Sequence, residues 1–193
     1  MSRENWFFGF PLDGAFMRSL PAPPHGFRLY HPDDIHLTLA FLGGCGEAPA
    51  LRALEALDGE LEQAQLSSID VSLGAVQPMG SRRAYTALSA VLDIGREAVE
   101  VYIARLRDAL ADAASVARDT RPPKAHATLA RPARRASHAE RQAGLVWARG
   151  LDLTHVNQRI RCIALYRWSE NRNERLFRVV ARRELGGVAA DAG

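Results

Sequence analysis

Two histidine–threonine pairs are the residues in this sequence best suited to chemistry. His36-Leu37-Thr38-Leu39-Ala40 recurs ninety positions later as His126-Ala127-Thr128-Leu129-Ala130. With six histidines and five threonines in 193 residues, chance supplies about 0.2 His-x-Thr triplets, so two that both continue Leu-Ala form a repeat. Imidazole titrates near pH 6.5, so one ring can be neutral and take a proton while its partner is charged and gives one. Displacement at phosphorus needs that combination: the attacking oxygen loses a proton and the leaving oxygen gains one. Threonine hydroxyls can donate to phosphoryl oxygens or fix an imidazole tautomer. Each proton-transfer role contributes about 10²–10⁴-fold, enough without a metal for a strained cyclic phosphodiester.

Both pairs fall in apolar runs that read as strands, residues 35–42 and 126–132. Alternation along a strand turns His36 and Thr38 to one face and Leu37 and Leu39 to the other, and treats the second copy alike. Two such strands, one per lobe, can set two imidazoles on either side of one small ligand. By the same parity Arg131 points away from His126 and Thr128 unless the chain bends before Pro132.

The elements that must hold these strands are legible in outline. Residues 6–10 are an aromatic strand stopped by Pro11, and residues 12–20 read as a short helix before the loop at Pro21 to Pro24. Leu51, Leu54, Leu57 and Leu61 lie on one face of a helix that Pro49 helps to start. Strands follow over 69–77 and 84–92, separated by a loop at 78–83. Val99, Ile103, Leu106 and Leu110 mark a second helix over 96–114. A short helix over 138–147, a hairpin of 158–168 with 175–185 around a loop at 169–174, and a flexible tail from 186 complete the chain. The order predicts one α+β domain over residues 1–185 in two similar lobes, with helices packed outside mostly antiparallel sheets.

Charge is unevenly divided. Residues 1–117 carry a net of −6 and residues 118–183 a net of +11, and 24 of the 25 basic residues are arginine. The guanidinium fork suits bidentate phosphate contact, which makes an anionic ligand for the second half one expectation; coding bias toward Arg, Ala and Leu is the other reading of the same composition. Arg82, Arg83, Arg134 and Arg135 are candidates to steer RNA toward the cleft. The apolar stretch at 6–12 is far short of the roughly 20 residues of a membrane helix, and a soluble, cytoplasmic monomer is expected. Cys45 and Cys162 have no paired spacing for zinc and no neighbouring base, and neither motif supplies the three or four converging ligands a metal wants. His25, His31, His138 and His155 read as surface or loop residues. Phe8, Phe10 and Phe41, inside strands, read as core.

These residues resemble the two-histidine (2H) phosphoesterases, and among them the RNA 2′,3′-cyclic phosphodiesterases, also called the 2′-5′ RNA ligase family. The resemblance covers about residues 5–185: the opening strand Trp6-Phe7-Phe8-Gly9-Phe10-Pro11-Leu12, the first motif at 34–43, the second at 125–131, and a closing hairpin through Ala164-Leu165-Tyr166-Arg167 and Arg175-Leu176-Phe177. Ala125 stands where the family usually has proline, and Ala127 where it usually has a branched aliphatic. The resemblance implies a bilobal, pseudo-symmetric fold with two antiparallel sheets, a central cleft lined by both motif strands, and no metal or other cofactor. It implies hydrolysis of 2′,3′-cyclic phosphates at RNA ends to 2′-phosphates. His36 would be the proton donor to the 3′ oxygen and His126 the acceptor that activates water, labels that ligation in the reverse direction exchanges. Thr38, Thr128 and Arg131 would hold the phosphate. A nucleotide-binding or RNA-end-binding module with little turnover is the rival class, though binding alone has no need of both imidazoles.

Overall fold

The computed structural model describes residues 4–81 and 84–186. Arg82, Arg83 and residues 187–193 of the expected tail lie outside these. Gly186 is paired with Ser67 in a single parallel bridge.

Alternating and apolar runs form nine strands among the described residues: β1 (Trp6–Pro11), β2 (Phe27–Leu29), β3 (His36–Gly43), β4 (Ile69–Met79), β5 (Ala87–Leu92), β6 (His126–Pro132), β7 (Asn157–Ile160), β8 (Cys162–Trp168) and β9 (Phe177–Glu184). Three helices, α1 (Glu47–Ala64), α2 (Arg96–Ala113) and α3 (His138–Arg149), accompany them. The sheet path runs β7-β4-β5-β6-β3-β1-β8-β9, with β2 added beside β6. The two expected sheets are therefore the halves of one antiparallel path, joined where Leu37 of β3 sits opposite Ala127 of β6. That junction brings the two motif strands side by side at the centre of the molecule.

The helix over 96–114 forms as α2, and Val99, Ile103, Leu106 and Leu110 are all buried. In α1 the buried face is Ala50, Ala53, Leu54 and Leu57, while Leu51 is exposed. Small alanines let α1 approach closely, so the inward stripe is set by them and not by the leucine spacing alone. Residues 12–20 make only a 3₁₀ turn, Ala15–Ser19. The α3 start is fixed by a capping box in which Ser137 accepts from the Glu140 amide and Glu140 accepts from the Ser137 amide.

The expected strand over 158–168 is two strands. β7 pairs with β4 through Ile69 opposite Ile160, whereas β8 pairs with β1 and β9. One stretch of chain thus serves both ends of the sheet, breaking at Arg161 to change partners.

Both motif strands carry a bulge at the same place. Across β1 and β3, Phe8 faces Ala40 but Gly9 faces Thr38, leaving Leu39 extra. Across β5 and β6, Leu88 faces Ala130 but Ser89 faces Thr128, leaving Leu129 extra. An extra residue reverses the in-out alternation beyond it. Leu39 with Ala40, and Leu129 with Ala130, are consecutive buried pairs, and the side chains after them turn back to the face of the histidines.

Candidate active site

His36 opens β3 directly after a 3₁₀ turn, Pro32–Asp34. Its Nδ1 donates to the Asp34 carbonyl at 2.7 Å. A carbonyl can only accept, so the proton is on Nδ1 and Nε2 is the nitrogen that titrates. The ring sits among Phe7, Tyr166 and Phe177, with centroids 4.8, 5.3 and 5.2 Å away. Burial in this aromatic cage pushes its pKa down to about 4, against the opposing pull of the Asp34 carbonyl; positive charge at His126 and Arg131 adds to the depression.

His126 repeats the arrangement. Its Nδ1 donates to the carbonyl two residues back, Lys124, at 2.7 Å, again leaving Nε2 to titrate. Burial lowers its pKa first, the Lys124 carbonyl opposes that, and the Lys124 and Arg121 charges lower it further. Just before this histidine the Ala125 amide donates to Glu100 of α2 at 3.1 Å and ties the segment down.

A cavity of about 260 Å³ lies between the strands and is bordered by His36, Thr38, His126, Thr128 and Arg131. All five sequence candidates therefore meet at one place. Arg131 reaches it although strict alternation sends it away, because the bulge at Leu129 turns it round. Its guanidinium lies over the Tyr30 ring at 5.5 Å. The equivalent bulge at Leu39 brings out Phe41, which is 59% exposed and borders the same cavity. Phe41 is thus not core, whereas Phe8 and Phe10 are fully buried. Arg134 and Arg135 are exposed and do not border the cavity. Both cysteines are free, and burial raises their pKa values, so neither is a ready thiolate.

Several residues that support the site gave no sign in the sequence. Asp34 is buried and its carboxylate accepts from the Leu176 and Phe177 amides at 2.8 and 3.3 Å. The same residue thus fastens Phe177 against His36 while its carbonyl holds the ring. Ser89 is fully buried, and its hydroxyl meets that of Thr128 at 3.2 Å. Gly9 lies under His36: a Cβ there would be 2.8 Å from the Leu37 carbonyl oxygen and 3.3 Å from the ring. Trp168 and Arg172 close the cavity's far side, the guanidinium 3.9 Å above the indole. A short polar residue at a chosen strand register has no local signature, and Asp34 stands out only as the second residue before a motif histidine.

Among the described residues no three or more His, Cys, Asp or Glu side chains are grouped to hold a metal ion, and no helix is long and apolar enough to cross a membrane.

Neither a family model nor a curated relative matches the sequence. Solved structures do match the fold. E. coli LigT complexed with 3′-AMP aligns over 94% of this chain and 98% of its own, at 18% identity and a TM-score of 0.68. TT0787 of Thermus thermophilus aligns over 95% and 99%, at 19% identity and a TM-score of 0.71. Kluyveromyces marxianus Usb1 aligns over 95% and 98%, at 12% identity and a TM-score of 0.57. The chain has the two-histidine phosphoesterase fold that these structures share.

Proposed function

We propose that this chain is a phosphodiesterase that opens 2′,3′-cyclic phosphates at RNA ends to 2′-phosphates and, with a 5′-hydroxyl in place of water, joins such ends reversibly through a 2′-5′ linkage. The reading is carried by one observation: two imidazoles with Nδ1 fixed on backbone carbonyls border a single cavity together with two threonines and an arginine. In the proposed step a water proton passes to Nε2 of His126 as its oxygen bonds to phosphorus. The bond from phosphorus to O3′ breaks, and Nε2–H of His36 gives O3′ its proton. The histidines finish with protonation states exchanged, and exchange with solvent resets them.

The base role falls to His126 because it is the less enclosed ring and water reaches it, whereas His36 is caged by aromatics. Before substrate binds, the depressed pKa values leave both rings neutral at pH 7. A phosphodiester anion between them favours the imidazolium, so the donor's proton arrives with the substrate. In this reading Thr38, Thr128 and Arg131, which border the cavity, bind the phosphate oxygens, Arg131 with two N–H groups. Exposed Phe41 and half-buried Trp168 at the cavity mouth offer stacking surfaces for a base. E. coli LigT has been solved with 3′-AMP, ATP and NADP+, in keeping with a nucleotide ligand for this fold.

The test is incubation with a 2′,3′-cyclic mononucleotide and with a short RNA ending in a cyclic phosphate, each with and without EDTA, followed by identification of the product isomer. Turnover that survives EDTA and gives only the 2′-phosphate is expected. Tight nucleotide binding without product, or complete loss of turnover with EDTA, overturns the reading.

A further inference from the structure

Two arginines border the cavity between the histidines, and the reaction proposed there accounts for one of them. Arg131 comes from β6 and Arg172 from the loop between β8 and β9. Among the described residues no Asp or Glu borders that cavity. Burial raises the Tyr30 pKa and the charges of Arg131 and Arg172 both pull it back, so both guanidinium groups lie near one hydroxyl of the cavity wall. A 2′,3′-cyclic phosphate carries a single negative charge. Held by Arg131, it leaves Arg172 without a counter-charge.

The loop fixes where Arg172 stands. Arg28 of β2 donates from Nη2 to the Arg172 and Asn173 carbonyls at 3.1 and 2.8 Å. The Ser169 amide donates to the Leu176 carbonyl at 2.9 Å and closes the loop at its base. The guanidinium lies over the Trp168 ring at 3.9 Å, so its face is held and its N–H edge stays available. Among the described residues that edge has no hydrogen bond or ion pair. The acids nearby are engaged elsewhere: Glu170 with Arg167 at 3.2 Å, Asp33 with Arg175 at 3.4 Å, and Asp34 with the Leu176 and Phe177 amides. An ordinary solvated arginine has neither an anchored backbone nor a stacked face, and both lower the entropy lost when a ligand is bound.

The chemistry of an RNA end supplies the matching anion. Next along the strand from a terminal cyclic phosphate is the phosphodiester on the 5′ oxygen of the same ribose. Its two non-bridging oxygens suit a guanidinium fork. A free nucleoside cyclic phosphate has only a neutral hydroxyl at that position and leaves the charge of Arg172 unanswered.

We propose that Arg172 binds the phosphate on the 5′ oxygen of the nucleotide whose cyclic phosphate lies between the histidines, an assignment that rests on the reaction proposed for this cavity. Arg131 holds the phosphate that reacts, and Arg172 holds the one that joins the last nucleotide to the rest of the strand. The preferred substrate is then a strand end, or a nucleotide phosphorylated at its 5′ position, over a free nucleoside cyclic phosphate.

The experiment uses two pairs of probes that differ only in the 5′-phosphate. Adenosine 2′-phosphate and adenosine 2′,5′-bisphosphate are inert and report affinity by calorimetric titration of the full chain. Adenosine 2′,3′-cyclic phosphate and its 5′-phosphorylated form report kcat/KM. In the wild type the 5′-phosphate should raise each quantity by about ten- to a hundredfold. Arg172→Ala should bring both ratios close to one, and Arg172→Lys, a point charge without the fork, should keep part of them. Arg28→Ala, which frees the two loop carbonyls, should lower them less than Arg172→Ala does. Arg105→Ala, on the exposed side of α2, should leave them as they are, and a thermal melt checks that every variant is folded. The proposal is overturned if the wild-type ratios are close to one. It is overturned too if Arg172→Ala weakens both members of each pair equally, which marks a contact to base or ribose, or if Arg105→Ala lowers the ratios as far, which marks a general effect of positive charge. Absence of turnover on either cyclic substrate refutes the reaction, and the affinity ratio then decides on Arg172 by itself.

Discussion

β3 and β6 share a sequence pattern, a bulge one residue after the threonine, and a histidine whose Nδ1 donates to the carbonyl two residues back. They differ in what surrounds the ring. His36 is enclosed by Phe7, Tyr166 and Phe177, whereas His126 is half-buried beside the Lys124 segment. They differ again five residues after each histidine, where the same backbone turn presents an aromatic ring, Phe41, on one side and a guanidinium, Arg131, on the other. A duplicated backbone thus places groups in equivalent positions, and substitution at those positions gives each half a separate task. Geometry is common to the halves and electrostatics is not.

The largest expected effect removes the shared part. His36→Asn and His126→Asn each keep a donor near the Nδ1 position but lose the titrating nitrogen. Each should lower kcat on a cyclic nucleotide by about 10²–10⁴-fold, and the double variant by far less than the product of the two. A loss confined to one of them means that the halves are not partners in one step.

The environmental difference should appear as stability. The folded His36 has a pKa of about 4 and an unfolded histidine about 6.5, so the unfolded chain binds more protons between those values. Stability is unaffected by this group above pH 6.5, falls as pH drops through the window, and has lost roughly 3 kcal/mol once pH is below the folded pKa. Urea unfolding of the wild type and of His36→Asn between pH 7 and pH 4 measures it: the variant's curve should lack that part of the slope. The same pair governs the rate. Limbs of the kcat/KM profile belong to the coupled dyad and should lie on the acid side of pH 6.5, while those of kcat move upward because the bound anion favours the imidazolium.

How much of this could be read beforehand follows from the physics of each signal. The histidine–threonine repeat and the α2 face were legible because they rest on identity and on a period of 3.6 residues, both local properties. Strict alternation alone turns Arg131 away from the histidine, and a place inside a strand alone makes Phe41 core, since a bulge depends on the partner strand and leaves no mark on its own sequence. The break at Arg161 was hidden for the same reason: the residues of β7 and β8 alternate as one strand, and only their different partners separate them. Asp34 was invisible as a support because its work is done 142 residues away, on the Leu176 amide.

The two bulge-positioned side chains offer the next comparison. Arg131→Ala removes a charged donor from the phosphate region and should cost about 1.5–3 kcal/mol in kcat/KM, whatever the base. Phe41→Ala should cost about 1–3 kcal/mol on a cyclic nucleotide, expressed in KM, and almost nothing on a ribose cyclic phosphate without a base. Steady-state kinetics on both substrates separates the roles, and an equal loss on both with Phe41→Ala refutes the stacking assignment.

The threonines are held differently, and the outer neighbours of the motif strands show why. Across from Thr38 in β1 is Gly9, where any Cβ meets the Leu37 carbonyl and presses on His36. Across from Thr128 in β5 is Ser89, whose hydroxyl bonds that of the threonine. Gly9→Ala should therefore destabilise the fold by about 1–3 kcal/mol through overpacking and shift the His36 ring resonances. Ser89→Ala leaves a fully buried site with one fewer hydrogen bond, a loss of about 1 kcal/mol. Thr128 then turns freely, so kcat should fall a few-fold while the affinity for a bare nucleotide base is unchanged. Ser89→Thr, which keeps the hydroxyl, should recover the rate if the added methyl is accommodated, and a thermal melt reports whether it is. Full activity in a stably folded Ser89→Ala would show that Thr128 needs no fixing, and would make the β6 threonine as free as its counterpart in β3.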